Sequence, residues 1–308
     1  MKKIFSIMLA VTAVMFLSAC SSYDDGWRPV SRDPESTAAP ETVPQSTVPE
    51  TEVPATETAP PATEPPATGH PATEAATDSP VTEPPATEFV PDGTLFRPKV
   101  MMYHLIMEEP YNDYGALFVR PSSFESQLRA LKAEGYEFLF AEEWRETDRP
   151  SVILTFDDGY EDNYSNMFPI LQRYGAKATI FLISDMVGTE GYMNEDQIRE
   201  MASSGLVSFQ SHTANHVDLA FQTEEVLRDQ FSRSCDYIGS LTGKPVRALA
   251  YPAGSYNDLV LSVAPDYFDF CYTTKQPFTV TEYTPLTIPR YYIAREMTDE
   301  SFGYIIAY

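Results

Sequence analysis

The chain has 308 residues and a formal net charge of −24. That length allows one large domain or two small ones. The acidity argues against nucleic acid as a partner, because affinity for nucleic acid rests on neutralising phosphates. It argues equally against electrostatic docking on anionic lipid, and a neutral or cationic substrate fits better.

The N-terminus reads MKKIFSIMLAVTAVMFLSACSS. Lys2 and Lys3 precede an apolar run from Ile4 to about Leu17, and small residues follow. A basic start, a short apolar core and small residues before a cleavage point describe a secretory signal peptide. The run is short for a membrane span. Leu17-Ser18-Ala19-Cys20 resembles a bacterial lipobox, so residues 1–20 are expected to be a lipoprotein signal with Cys20 as the lipidated residue. An ordinary signal or an uncleaved anchor is the alternative. Cys235 and Cys271 remain; both lie in strongly patterned segments, which favours two buried thiols over a disulfide.

Residues 21–92 read as a Thr/Pro/Glu-rich linker. From Tyr23 to Asp92 the chain holds 15 of its 26 prolines, and Pro-Ala-Thr-Glu recurs at Pro54, Pro61, Pro71 and Pro85. Fourteen acids face two arginines there. So few apolar residues cannot offset chain entropy, and the segment is expected to be disordered. Proline and like charge extend such a tether. Residues 93–308 form the expected folded domain, with 31 acids and 17 bases.

Strand and helix patterns alternate through this domain. Lys99–Ile106 reads as a strand. Ser122-Ser-Phe-Glu125 has a capping-box pattern, followed by Phe124, Leu128 and Leu131 at helical spacing. Ser151–Phe156 is a strand. Asn163–Tyr174 is a helix in which Pro169 marks a kink or a late start. Lys177–Ile183 is a strand, Glu195–Ser203 a helix and Leu206–Gln210 a short strand. Glu224–Leu241 is the longest helix. Arg247–Tyr251 is a strand and Tyr256–Val263 a helix, and Phe268–Thr273 and Leu286–Ile293 are closing strands. Such alternation implies βαβ units and a parallel sheet. The fold class is α/β, an incomplete or distorted (β/α) barrel of about seven strands, whose chemistry belongs at the C-terminal strand ends.

Unusual polar residues fall at those ends. Asp157 and Asp158 close the strand Ser151–Phe156. His212 and His216, four apart, follow Leu206–Gln210. The segment Tyr251-Pro-Ala-Gly-Ser-Tyr-Asn257 follows Arg247–Tyr251, and His104 ends the first strand. Two adjacent carboxylates at a buried strand end repel each other and are costly to desolvate, an objection that a cation removes. Two imidazoles and one carboxylate form a three-ligand set that leaves positions open on a catalytic metal. Polar loop residues without a metal are the plainer alternative.

Thr155-Phe-Asp-Asp-Gly159 resembles the first motif of the polysaccharide deacetylases, the NodB-homology or carbohydrate esterase 4 family. His212-Thr-Ala-Asn-His216 resembles the second, His-Ser/Thr-x-x-His. The likeness covers roughly Pro98 to Ile293. It implies a metal-dependent deacetylase on a deformed barrel. Asp157 would be the general base, and Asp158, His212 and His216 the ligands of a divalent metal, with Zn²⁺ favoured.

The third motif is only partly kept: Leu249-Ala-Tyr-Pro-Ala-Gly254 stands where the family has Phe-Arg-Pro-Pro-Tyr-Gly. The arginine that orients the base falls on Ala250, and Arg290 is the proposed substitute. The oxyanion-hole tyrosine falls on Ala253, whose backbone N–H can still serve. No histidine follows His216, so His104 is assigned the general-acid role; a pocket residue that only positions substrate is the alternative. The Tyr-His near the start and Ala-Tyr-Pro-Ala-Gly-Ser-Tyr resemble the branch containing the intercellular-adhesin deacetylases of poly-N-acetylglucosamine. Tyr251, Pro252, Ala253 and Tyr256 are implied as substrate or oxyanion contacts, and Tyr291 and Tyr292 are further candidates for stacking on sugar rings.

The resulting expectation is a monomeric, lipid-anchored enzyme on the extracellular face of the cell membrane. It would deacetylate N-acetylglucosamine units of a surface or wall polysaccharide, with a membrane contact only through its lipid. A catalytically silent carbohydrate-binding domain, an acetyl-xylan esterase and a non-haem iron oxygenase are the alternatives, the last because two histidines and a carboxylate also suit Fe(II).

Overall fold

The computed structural model describes residue 93, residues 95–109 and residues 117–307. Cys20, the signal segment and the linker lie outside these residues. Within them, parallel strands alternate with helices. The strands are β1 (Lys99–Tyr103), β2 (Leu105–Ile106), β3 (Phe118–Val119), β4 (Glu137–Leu139), β5 (Ser151–Asp158), β6 (Ala178–Leu182), β7 (Val207–Ser211), β8 (Ala248–Ala250), β9 (Phe270–Tyr272) and β10 (Tyr291–Tyr292). The main sheet runs β10-β1-β5-β6-β7-β8-β9, every pairing parallel, with β4 paired to the first half of β5. β2 and β3 form a small separate sheet.

The seven strands in that order make the distorted half-barrel expected from the sequence. Its two ends are linked by one irregular segment. Ile288 pairs with Tyr272 of β9, and Tyr291 and Tyr292 pair with Met101 and Met102 of β1. Leu286–Ile293 is therefore not a continuous strand: Ile288 makes an isolated bridge, and only Tyr291 and Tyr292 form a strand. Arg290 lies just before β10 rather than at its end. Between the two pairings the backbone is free to turn a side chain inward.

β5 is buried along all of its eight residues, so Val152, Ile153 and Leu154 form the apolar run of a strand covered on both faces. The main core gathers Met101, Tyr103, Leu154, Phe156, Ile180 and Phe209 with Phe124, Leu128 and Leu131 of helix α1 (Pro121–Ala133). The three helical positions predicted by spacing are all buried. The predicted Ser122 capping box is not formed. Pro121 occupies the first turn, and Arg120 precedes it without a side-chain cap, because proline's fixed φ already suits that position.

Asn163–Met167 forms a π-helical turn that leads directly into α2 (Phe168–Tyr174), so Pro169 marks a late start and not a kink. α3 (Glu195–Ser203) carries an Asn194–Gln197 capping box, and Thr223 caps α4 (Glu224–Thr242). α5 (Asp258–Val263) begins two residues later than expected, after Asn257, which takes the N-cap. The sequence reading contained neither β4 nor the closing helix α6 (Asp299–Ile306). Cys235 and Cys271 are free thiols, and burial pushes both up to about 12.

Candidate active site

Asp157 and Asp158 are the last two residues of β5. The turn after them is tight. Gly159 has φ +87°, and a Cβ there would come within 2.4 Å of a Leu182 methyl. Asp158 itself has φ +75°. Among the described residues, the only other non-glycine residues with positive φ are Thr213, His216 and Ala253. All four sit at the strand ends and loops singled out by the sequence, and strain of this kind persists only where the surroundings enforce it.

The two carboxylates take different partners. Asp157 is buried and receives two hydrogen bonds from Arg290, Nη1 to Oδ1 and Nη2 to Oδ2, both at 2.7 Å. Arg290 is fully buried. Its Nε donates to the Thr273 carbonyl at 3.0 Å, its Nη1 also reaches Thr155 Oγ1 at 3.1 Å, and its guanidinium lies 5.8 Å from the Phe181 ring centre. Thr155 Oγ1 in turn donates to the Met101 carbonyl. Burial would raise the Asp157 pKa, but the Arg290 guanidinium together with the His212 and His104 imidazoles outweighs it and holds the carboxyl below its usual range. His104 Nε2 lies 3.9 Å from Asp157 Oδ2. Burial holds the His104 imidazole below its ordinary pKa.

Asp158 faces the histidine loop. Its Oδ1 lies 3.4 Å from His212 Nε2 and 3.8 Å from His216 Nε2. One ligand atom from each of the three residues falls within 4.8 Å of the others. His212 Nδ1 donates to the Ala250 carbonyl at 2.8 Å, so Nε2 is the nitrogen left to face Asp158. His216 is oriented by a bond from its backbone N–H to Thr213 Oγ1. Four donors about 2.0–2.1 Å from a common tetrahedral ion stand about 3.4 Å apart. The Asp158–His212 separation fits that value, so the set suits a divalent cation. Burial opposes ionisation of Asp158, but His212 and the neighbouring imidazoles hold its carboxyl low. Against the same burial, Asp158 and Asp157 raise the pKa of His212, whereas His216 is lowered chiefly by burial.

A family model described as polysaccharide deacetylase matches residues 145–267. A solved polysaccharide deacetylase from Bacillus cereus is 35% identical, with a TM-score of 0.63 and 69% of each chain covered. A Streptococcus pyogenes deacetylase solved in complex with acetate is 30% identical at a TM-score of 0.62, with 69% of this chain and 99% of that one covered. The chain belongs to the polysaccharide deacetylase family. A poly-beta-1,6-N-acetyl-D-glucosamine N-deacetylase of Staphylococcus epidermidis is 27% identical over 225 residues, which is 63% of this chain and 78% of that one. The chain spans 57–60% of the length of several other curated relatives.

The partly kept third motif forms a tight turn, Pro252–Gly254, in which Ala253 takes a left-handed conformation at φ +51°. Ala253 is exposed, and the turn is closed by the Gly254 N–H on the Tyr251 carbonyl at 2.8 Å rather than by the Ala253 N–H. Gly254 backs onto Thr274, since a Cβ there would meet Thr274 Oγ1 at 2.1 Å. Tyr251 corrects the expectation of sugar stacking. It is fully buried in a core cluster and gives its hydroxyl to the Leu286 carbonyl, so its face cannot reach a glycan. Pro252 is likewise buried. Tyr256 is half-buried, stacked on Tyr251 with centroids 5.0 Å apart, and accepts from Lys275 Nζ at 2.6 Å. Tyr291 and Tyr292 are half-buried.

Sequence reasoning missed Thr155, Thr273 and Phe181, which seat the Arg290 guanidinium. Thr155 lay inside the first quoted motif but carried no separate signal. Thr273 acts through its carbonyl, which no side-chain pattern reveals.

Proposed function

We propose that the chain is a divalent-metal-dependent hydrolase that releases acetate from N-acetylglucosamine units of an extracellular or wall polysaccharide. The carrying observation is the division of labour between the paired carboxylates. Asp158 faces two imidazoles, while Asp157, one residue away, is clamped by Arg290 beside His104. The N-acetylglucosamine substrate draws support from the Staphylococcus epidermidis relative, and acetate as product from the Streptococcus pyogenes structure.

Asp158, His212 and His216 would hold the cation, with Zn²⁺ favoured by the His₂–carboxylate donor set. When bound, it would polarise the acetyl carbonyl and acidify a water. Asp157, kept ionised and oriented by Arg290, accepts the proton of the attacking water. The Ala253 N–H donates to the oxyanion that develops on the carbonyl oxygen. His104, neutral in the free protein because burial lowers its pKa, takes the proton from Asp157 and delivers it to the amine nitrogen as the C–N bond breaks. Acetic acid and a glucosamine amine result, and the acid's remaining proton passes to the amine or to solvent, leaving acetate.

A binding-only reading rests on two losses, the C-terminal histidine and the third-motif arginine. Arg290 supplies that side chain from another segment, which favours the enzyme. The proposal places the enzyme outside the cell, anchored through Cys20 and carried on the residue 21–92 tether. The test is acetate release by the full chain from poly-N-acetylglucosamine, chitooligosaccharides, peptidoglycan and acetylated xylan, with and without chelator. Release from the first substrate that stops on chelation is the expected result. Glycan binding with no acetate from any substrate would overturn the reading, and release from xylan alone would reassign it as an esterase.

A further inference from the structure

His104 occupies a break in the chain's strand structure. β1 ends at Tyr103 in the main sheet, and β2 starts at Leu105 in the small sheet with β3. One edge of the segment after His104 is held by ordinary backbone bonds, Leu105 N–H to the Leu117 carbonyl and Met107 N–H to the Val119 carbonyl. Among the described residues, the opposite edge has no strand beside it. Its backbone groups are buried and must find partners elsewhere.

Three side chains supply them. Asn163 Nδ2 donates to the His104 carbonyl at 2.8 Å. Asp162 Oδ2 accepts from Ile106 N–H at 2.8 Å. Asn166 Nδ2 donates to the Ile106 carbonyl at 2.7 Å. Asn163 Nδ2 also donates to Asp162 Oδ1, which joins the first two into one unit. Asp162 and Asn163 are both buried. All three residues belong to the π-helical turn and its entry, directly downstream of Asp157 and Asp158. The wider π turn brings Asp162, Asn163 and Asn166 to one side, where they replace a missing strand. Such turns are often retained at functional sites.

We infer that Asp162 and Asn163 are positioning residues that set His104 against Asp157, so that one turn fixes the separation between proton acceptor and proton donor. Asp157 is joined to the turn through five residues of backbone, and His104 is joined to it through the Asn163 bond. The turn thus sets the 3.9 Å gap across which the proton moves. The inference rests on the roles proposed for those two side chains.

The experiment is a double-mutant cycle on the full, metal-loaded chain, with Asn163→Ala, His104→Ala and the pair, read as kcat and KM for acetate release from poly-N-acetylglucosamine. A displacement of about 1 Å at a reacting group costs on the order of 100-fold. Asn163→Ala is therefore expected to lower kcat by roughly 10- to 100-fold, with KM and metal content unchanged, and to add no further loss in the His104→Ala background. Equal losses in both backgrounds, or a loss of bound metal in parallel with kcat, would overturn the assignment. Asp162→Asn keeps the shape of the side chain and guards against a folding failure; a smaller kcat loss with the same non-additivity is expected. A second readout does not need activity. The His104 imidazole NMR signals, assigned with His104→Gln, should shift in Asn163→Ala while those of His212 and His216 stay in place. Unmoved His104 signals would sink the inference even if acetate release is intact. Wild-type protein that releases no acetate but shows the NMR shift would sink only the proposed function.

Discussion

Arg290 meets Asp157 in a two-pronged ion pair, both contacts at 2.7 Å, across 133 residues of sequence. Neither group is exposed to solvent, so the pair stands or falls as a unit. Replacing Arg290 by Ala leaves a buried carboxylate uncompensated, a change that typically costs roughly 3–5 kcal/mol. Arg290→Ala is expected to unfold earlier in denaturant and to lose acetate release. Arg290→Lys should fold better and still be impaired, because an ammonium cannot serve both oxygens in one plane. Urea titrations with parallel kinetics check both; an active Arg290→Ala would rule out the orienting role.

Asp157→Asn keeps the volume of the side chain and one acceptor for Arg290 but cannot take a proton. A positioned general base contributes roughly 10²- to 10⁴-fold. Acetate release is expected to fall within that range while metal content, measured by elemental analysis, stays at the wild-type level. Loss of metal instead would show that Asp157 belongs to the ligand set.

Asp158, His212 and His216 are expected to bind one divalent ion per chain. His212→Ala or Asp158→Ala should abolish both the bound ion and the rise in melting temperature that added Zn²⁺ gives the wild type, by mass action on the folded state. Chelation followed by re-addition of metal should abolish and then restore acetate release. Wild-type release that is indifferent to chelator would exclude the site from the reaction.

Burial pushes the Asp162 carboxyl up to about 7 despite the bonds it receives from Ile106 and Asn163. In the unfolded chain it titrates near the ordinary value of about 3.9. Between about pH 4 and 7 the folded state therefore holds the proton more tightly. This group favours folding at the acid end of that window, and its contribution is lost as pH rises through it. The full difference is at most roughly 4 kcal/mol. Asp162→Asn cannot ionise, so its stability relative to wild type should rise between about pH 4 and 7 and level off above. Urea unfolding of both proteins across that range tests the sign, and a flat difference would show that Asp162 titrates normally.

The chemistry at the strand ends was legible because short motifs mark it. Asp157 with Asp158, and His212 with His216, are dense signals at fixed spacing, and the structure brings Asp158 to both histidines. Arg290 could be named only as a substitute for the missing motif arginine, since nothing local distinguishes it from a surface arginine. Its burial comes from Thr155, Thr273 and Phe181, all distant in sequence. Asn163 and Asn166 read as ordinary positions in a helix and Asp162 as the residue before it, because sequence periodicity cannot show that a polar face is buried against a strand edge. β4 and β10 escaped or were overextended for a simpler reason: two or three residues carry no measurable alternation. Tyr251 was misjudged because an aromatic beside a motif looks the same whether it lines the pocket or supports its floor.

The bridging role of residues 288–292 has a consequence for how the molecule is made. Asp157 emerges midway through synthesis, but its counter-ion follows 133 residues later, with nearly the last element of the sheet. Until then the nascent chain carries an isolated acid at the end of a strand whose eight residues are all buried in the finished fold, and the sheet's first strand lacks its outer neighbour. Long-range closure of this kind is slow and leaves strand edges open to misassembly. Maturation and competence should therefore coincide in a single late step, with no partly folded species able to turn over substrate.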